Sequence, residues 1–163
     1  MTLEETINKL RQLKLPVMAS SAQDRLHRPD HQDLTHQDVF GLIVDDEYLA
    51  RENRKMTNRL RFARFKIPAT MEAIDYQIKR GLLKNKMLEL ANLNWIKQKQ
   101  HILITGPTGV GKSFVAQALG HQACLMGHSA HYTRLTRLLN ELTIARADGS
   151  YRRCLNKLLR FDV

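Results

Sequence analysis

Apolar residues recur every three or four positions through much of the first hundred residues. Residues at this spacing share one face of a helix, so the pattern predicts an amphipathic helix over residues 2–14, which Pro16 ends. Residues 20–34 show no sustained period and predict a loop or short helical turns. A second apolar stripe predicts a long helix from Thr35 that stops at Ile67-Pro68, because a residue before proline is pushed out of helical geometry.

The pattern changes near residue 100. His101–Thr105 is a short apolar run with two isoleucines, and it predicts a buried strand that leads into a glycine-rich loop. A helix is predicted from Lys112 to Gly127, a second strand over His128–Thr133, and two further helices after that. This order predicts the α/β fold class. The predicted divisions are a helical N-terminal region (residues 1–68), a helical connection (69–100) and an α/β domain (101–163).

The composition is that of a globular and strongly basic chain. Of its 163 residues, 43% are hydrophobic and 26% are charged, which argues against wholesale disorder. No apolar stretch approaches the roughly 18–20 residues of a membrane span, and two cysteines fit a reducing compartment, so we predict a cytoplasmic protein without a membrane partner. The 26 Lys and Arg residues exceed the 16 Asp and Glu residues and give a net charge of +10, which makes nucleic acid the first expected partner.

A predicted phosphate-binding loop carries the strongest chemical signal. The sequence Gly-Pro-Thr-Gly-Val-Gly-Lys-Ser has glycine at its first and sixth positions, followed by lysine and serine. The residues predicted to hold the nucleotide are Gly106, Pro107, Thr108, Gly109, Val110, Gly111, Lys112 and Ser113. The glycines run GxxGxG rather than GxGxxG, which argues against a dinucleotide fold.

Each part of this loop has a chemical role. The glycines let successive backbone N–H groups point into one concavity that binds phosphate oxygens, and the following helix adds its positive N-terminal end. Lys112, the predicted catalytic residue, would reach the β- and γ-phosphates, and the Ser113 hydroxyl would bind the Mg²⁺ that bridges them. ATP and Mg²⁺ are therefore the predicted cofactors. The alternative is a glycine-rich turn whose lysine is only a solvated residue at a helix start.

A basic segment over Arg51–Lys66 is the second signal. It holds seven Lys or Arg residues and one Glu, with two phenylalanines between them. Arginine-rich helices neutralise backbone phosphates, so this segment predicts DNA binding. The residues predicted to contact DNA are Arg51, Arg54, Lys55, Arg59, Arg61 and Arg64. Two alternatives are a solvated helix face and a basic helix that lies on a membrane or a partner protein.

Two weaker features are predicted to be structural. Three histidines have a spacing possible for metal ligands, but no cysteine or acidic set joins them, so they are predicted to be surface histidines. They are His27, His31 and His36. Three arginines further along the chain are predicted to form ordinary salt bridges rather than extend a nucleic-acid surface. They are Arg134, Arg137 and Arg146.

The chain also resembles a known family. The stretch Trp95–Val163, which contains the phosphate loop, resembles the IstB-like helper ATPases of insertion sequences, which are related to the DnaC helicase loaders and DnaA initiators of the AAA+ class. The resemblance extends upstream through Leu13–Ala19, Leu49–Phe65 and Ala73–Leu82. It implies a helical region before an AAA+ module with a parallel sheet, ATP hydrolysis, a homo-oligomer on DNA, and assistance to a transposase at its target.

The chain departs from the family pattern near Phe161-Asp162-Val163. The resemblance implies a further strand that ends in an acidic Walker B pair, then a sensor and an arginine finger; none is matched, and Asp162 is not a convincing substitute. We therefore expect a truncated or frameshifted copy, or an incomplete sequence, with an incomplete parallel sheet and feeble hydrolysis. Two other functions stay open: a helicase loader in replication, and a DNA-binding helical module whose nucleotide domain is vestigial.

Overall fold

The computed structural model describes residues 2–26, 34–77 and 81–163. Of these residues, 63% are helical and none lies in a strand. The chain divides into two compact units, which we name unit 1 (Met1–Lys55) and unit 2 (Met56–Val163). The helices of the described residues are α1 (Leu3–Gln12), α2 (Pro16–Leu26), α3 (His36–Ala63), α4 (Lys84–Ala91), α5 (Asn94–Lys97), α6 (Lys112–Leu125), α7 (Leu135–Ala147) and α8 (Tyr151–Leu158).

In unit 1, α1 packs against α2. A capping box begins α1, because the Thr2 side chain accepts a bond from the Glu5 N–H and the Glu5 carboxylate accepts one from the Thr2 N–H. Pro16 lies beyond α1 as predicted, but it is also the first residue of α2. Proline suits that position since it has no N–H to leave unsatisfied in the first turn. The expectation of a loop or short turns from residue 20 is therefore wrong for residues 20–26.

Glu47 of α3 supplies the cap that α2 lacks locally. Its side chain is only 7% exposed, and its Oε2 atom accepts hydrogen bonds from the N–H groups of Val17 and Met18, both at 2.9 Å. Its Oε1 atom accepts a bond of 2.8 Å from Nε of Arg51. The Met18 bond is the largest cause that holds the pKa of Glu47 below its usual value, with Arg51 and Val17 adding to it against the effect of burial. A buried carboxylate thus joins α2 to α3.

Helix α6 lies at the centre of unit 2. Its buried face belongs to an apolar cluster of Ala69, Ile74, Met87, Val115, Ala118 and Leu119. A second cluster, formed by Ala63, Cys124 and Ala130 with Leu60 and Phe65 packed against it, joins α6 to the end of α3. A Cβ on Gly120 would lie 2.9 Å from the Phe65 ring, so a residue without a side chain permits this close approach.

The predicted α/β fold class, with its parallel sheet, is wrong for the residues that the structure describes, since none of them lies in a strand. His101–Thr105 has no backbone hydrogen bond to another described segment, so it is not a strand. A strand needs ladder partners for its N–H and C=O groups, and apolar, β-branched residues do not supply them. Ile102 and Ile104 instead pack against the first apolar cluster while Leu103 is 88% exposed. Packed and exposed side chains therefore alternate along this segment as they do in a strand, but the described residues form no sheet.

The second predicted strand, His128–Thr133, is likewise not a strand. Its backbone makes two bonds with Val163: the Val163 N–H donates to the Ser129 carbonyl at 3.1 Å, and the His131 N–H donates to the Val163 carbonyl at 2.8 Å. The Tyr132 N–H donates to the Ala63 carbonyl at 2.7 Å. Bonds to residues 162–163 on one side and to Ala63 on the other are too few to make a ladder in the part of the chain that the structure describes.

Candidate functional site

The loop of residues 106–113 adopts a conformation that requires glycine. Gly106, Gly109 and Gly111 have φ values of 147°, 87° and 95°. These positive values are rarely adopted by residues with a Cβ, so the glycine positions of the motif follow from the backbone path. The loop leads directly into α6, whose N-cap is Gly111 and whose first residue is Lys112.

The start of α6 offers several backbone donors. Within the described residues, no acceptor is present for the N–H groups of Gly111, Lys112 and Ser113. Unsatisfied N–H groups are general at the first turn of a helix, and together with the helix dipole they favour an anion such as phosphate. The 14 residues of α6 make it long enough to carry such a dipole.

The side chains of the loop complete the arrangement. The ammonium group of Lys112 donates a hydrogen bond of 2.6 Å to the carbonyl of Pro107, so the lysine side chain folds back over the loop. Ser113 is exposed, and within the described residues its hydroxyl makes no hydrogen bond. The structure therefore brings the cation and the hydroxyl that the sequence singles out to the same helix start as the backbone donors.

Gln117 is a residue of this region that sequence reasoning missed. Its side chain is buried, with 2% exposure, and its Oε1 atom accepts hydrogen bonds from the N–H groups of Lys66 and Ile67 at 2.6 and 3.3 Å. Its Nε2 atom donates to the Ser113 carbonyl at 3.0 Å. The available signal was a polar residue between the apolar positions Val115 and Ala118. Gln117 thereby ties the first turn of α6 to the chain that leaves α3.

The basic segment is divided between intramolecular contacts and solvent. The Arg51 guanidinium is held in unit 1, where it contacts Glu47 at 2.8 Å and donates to the Lys14 carbonyl at 2.8 Å. Lys55 pairs with Glu52, also in unit 1. These two members of the predicted DNA-contacting set are therefore already engaged.

The other four members of the predicted DNA-contacting set comprise two side chains that contact the protein itself and two that do not. In unit 2, Arg59 donates a bond of 3.1 Å to the Cys124 carbonyl, and the Arg61 guanidinium lies 4.9 Å from the centre of the Phe62 ring. Arg54 and Arg64 are exposed and donate no hydrogen bond within the described residues. The structure thus keeps only part of the predicted basic face available for a partner.

Comparison with known proteins decides the family. The family model described as IstB-like ATP binding protein matches residues 8–163. The chain belongs to the IstB-like ATP-binding protein family. It is 38% identical, over its whole length, to the "Insertion sequence IS1162 putative ATP-binding protein" of Pseudomonas fluorescens. It is 37% identical over 94% of its length to the "Putative insertion sequence ATP-binding protein y4pL" of Sinorhizobium fredii. It is 35% identical over 88% of its length to the "Putative ATP-binding protein Rv3427c in insertion sequence" of Mycobacterium tuberculosis.

The IstB-like chain spans 71%, 62% and 57% of the lengths of these three relatives. The predicted resemblance to the IstB-like family is confirmed, together with the association of the family with ATP binding and insertion sequences. None of the helices in the described part of the chain has the length and apolar character needed to cross a membrane.

The remaining sequence predictions for the IstB-like chain have mixed outcomes. Arg137 forms the predicted salt bridge, at 2.9 Å from Glu141, whereas Arg146 stacks on the ring of Tyr151 and Arg134 has no ion pair within the described residues. His27 and His31 lie outside the described residues. Across 2–26, 34–77 and 81–163, no three potential metal-binding side chains form a group.

Proposed function

We propose that the IstB-like chain binds ATP through residues 106–113, with Mg²⁺ at the Ser113 hydroxyl, and that it assists a transposase on target DNA. The observation that carries the ATP proposal is the loop itself. Glycines at positive φ precede the first N–H groups of α6, which have no acceptor among the described residues and lie beside the ammonium of Lys112. These are the groups that hold a polyphosphate chain. Family membership and the names of the relatives support adenine as the base and an insertion sequence as the context.

Within this proposal each residue has a stated task. The N–H groups of Gly111, Lys112 and Ser113 donate to phosphate oxygens, and Lys112 exchanges its bond with the Pro107 carbonyl for the β- and γ-phosphates. The Ser113 hydroxyl is one ligand of Mg²⁺, which neutralises phosphate charge when bound. Binding is the first property to test, since hydrolysis also needs a group that orients the attacking water.

The test is a titration of the full chain with a fluorescent ATP analogue, with and without Mg²⁺. We expect Lys112→Ala to weaken binding by about 10- to 100-fold, because a charge-assisted hydrogen bond contributes about 1.5–3 kcal/mol. Lys97→Ala removes an equal charge from an exposed position of α5 and is the matched control. Ser113→Ala should remove the part of the affinity that depends on Mg²⁺.

Equal affinities of wild type, Lys112→Ala and Lys97→Ala would reject the assignment of the loop.

The transposition part of the proposal needs a separate test. We expect the chain to assemble on duplex DNA as a homo-oligomer in the presence of ATP, and to retain the transposase encoded by the same insertion sequence on that DNA. Analytical ultracentrifugation with labelled DNA measures the assembly, and a species whose mass is unchanged by ATP would argue against it.

A further inference from the structure

Unit 2 contains a cleft of about 670 Å³ that lies between the end of the basic segment, residues 131–134 and α7. Four cationic side chains line it: Arg64, Lys66, Arg134 and Arg137. Glu141 is the one carboxylate among its lining residues and already contacts Arg137 at 2.9 Å. The cleft therefore carries an excess of three positive charges. Such an excess in a concave surface attracts a polyanion.

Neutral hydrogen-bonding groups accompany the charges. Tyr132, Thr136 and Asn140 also line the cleft and offer hydroxyl and amide donors. Arg134 is the N-cap of α7, whose 13 residues direct the positive end of a helix dipole toward the same region. Arginine and lysine side chains, small hydroxyl and amide groups and helix N-termini are the usual partners of nucleic-acid phosphates.

The backbone under two of these cations is fixed by bonds within unit 2. The Ala63 carbonyl accepts the Tyr132 N–H at 2.7 Å, immediately before Arg64, and Gln117 accepts the Lys66 N–H at 2.6 Å. Phe65, between the two cations, packs with its ring against Gly120. A fixed backbone reduces the conformational entropy lost when the side chains bind a ligand.

We propose that this cleft binds the phosphodiester backbone of DNA and that Arg64 and Arg134 are its principal contacts. Neither residue makes a hydrogen bond through its side chain within the described residues, so both guanidinium groups are available. The proposal rests on the proposed function for the choice of DNA as the polyanion. The sequence prediction placed the DNA contacts along the exposed face of α3. The present proposal places them at the C-terminal end of α3, where Arg134 and Arg137 line the same cleft as Arg64.

A nucleic acid fits the cleft better than an acidic peptide. The side chains at the cleft are mainly charged or small and polar, with Ile144 the one aliphatic residue. Acidic peptides gain affinity and specificity from apolar anchors as well as from charge. A phosphodiester backbone needs cations and hydrogen-bond donors alone.

The experiment compares two double variants of the full chain that lose equal charge. Arg64→Gln with Arg134→Gln alters the cleft, whereas Lys84→Gln with Lys97→Gln alters exposed positions of α4 and α5 that do not line it. Binding to labelled duplex and single-stranded DNA is measured by fluorescence anisotropy between 50 and 200 mM salt. We expect the cleft variant to lower the slope of log affinity against log salt by about 2, since each phosphate contact contributes about 0.9. The control variant should keep the wild-type slope.

The outcomes separate this proposal from the proposed function. A shallower slope of log affinity against log salt in the cleft variant alone, with duplex or single-stranded DNA, supports DNA binding at the cleft. Equal effects of the two variants overturn it, as does competition by poly-glutamate equal to that of DNA. Failure of wild type to bind DNA removes the DNA part of the proposed function as well. Binding of the ATP analogue and the fluorescence of Trp95 in each variant show that unit 2 is folded.

Discussion

Replacement of Gln117 by methionine tests whether one buried amide holds the phosphate loop to the rest of unit 2. Methionine has a similar volume and an unbranched chain, so the substitution removes hydrogen bonds without opening a large cavity. It deprives the N–H groups of Lys66 and Ile67 of their acceptor and the Ser113 carbonyl of a donor. The perturbation is therefore the loss of three bonds from one buried side chain.

The expected loss of stability depends on how exposed to water the groups are that lose their hydrogen-bond partner. A buried N–H group without an acceptor costs about 1–3 kcal/mol, but Lys66 is exposed and Ile67 is 39% exposed, so water satisfies part of the loss and the lower end applies to each. The bond to the exposed Ser113 adds about 0.5–1.5 kcal/mol. We expect a total destabilisation of about 2–4 kcal/mol, or roughly 8–16 °C in Tm for a unit of this size.

Trp95 makes the assay specific for unit 2. It is the single tryptophan of the chain, and its indole N–H donates to the Leu90 carbonyl at 2.9 Å. Urea unfolding followed by tryptophan fluorescence therefore reports unit 2 without a signal from unit 1. Gln98→Met, at an exposed position after α5, is the matched control and should stay within about 0.5 kcal/mol of wild type.

A Gln117→Met variant as stable as the Gln98→Met control would refute the reasoning, because the three bonds would then contribute nothing. The ATP titration adds a second measurement. If Gln117 only stabilises unit 2, the folded variant binds the nucleotide as wild type does. If it also orients the first turn of α6 through the Ser113 carbonyl, affinity falls at temperatures where Trp95 shows the variant to be fully folded.

Two further predictions concern ionisable groups. Glu47→Ala leaves the N–H groups of Val17 and Met18 without their acceptor and should destabilise unit 1 by about 2–4 kcal/mol in urea unfolding followed by far-UV circular dichroism, whereas the exposed Glu89→Ala should cost under about 0.5 kcal/mol. Burial, followed by the nearby Arg64, lowers the pKa of His131 below its usual value. As the pH is lowered, His131 is therefore protonated in the unfolded chain, near pH 6.5, before it is protonated in the folded one. The stability of unit 2, measured by Trp95 fluorescence, should fall as the pH is lowered from 7.5 to 5.5. His131→Phe, which keeps the stacking on the Phe161 ring, should reduce that fall; an undiminished fall would contradict the prediction.

The helices could be predicted from the sequence because their signals are local. Apolar spacing identifies α1 and α3, and the motif of residues 106–113 correctly anticipates a helix from Lys112. The start of α2 could not be found in this way, since its cap comes from Glu47, about 30 residues along the chain. Local patterns carry no information on a carboxylate brought in by another helix.

The failures at the predicted strands have the same cause. Ile102 and Ile104 are apolar and β-branched, which describes a residue suited to a sheet but not the presence of a neighbouring strand. Within the described residues no partner pairs with them, so their burial comes from the first apolar cluster. A buried extended segment and a buried strand share one sequence pattern, and only the pairing distinguishes them.

The basic segment shows a second limit of sequence reasoning. Charge composition identifies it as a polyanion-binding candidate but does not tell an available guanidinium from an engaged one. Arg51 and Arg59 differ little from Arg64 in sequence context, yet the first two donate to carboxylate or carbonyl oxygens of the chain itself. Arg134, which the sequence assigns to a salt bridge, has none among the described residues and lines the cleft instead. Partners distant in the chain decide the role of each arginine.

The loop of residues 106–113 obtains its conformation although the described residues form no sheet, which its motif normally follows. Positive φ values at three glycines and the bond from Lys112 to Pro107 are local. Two long-range contacts support the helix start: Gln117 bonds to residues 66 and 67, and Val115 packs in the first apolar cluster. Helix α6 also carries the buried face of unit 2. A nucleotide bound at its first turn therefore stabilises the same helix that holds the core, in proportion to the logarithm of ligand concentration over Kd. Because Gln117 also fixes the backbone beside Arg64, the helix that would bind ATP also positions part of the cleft.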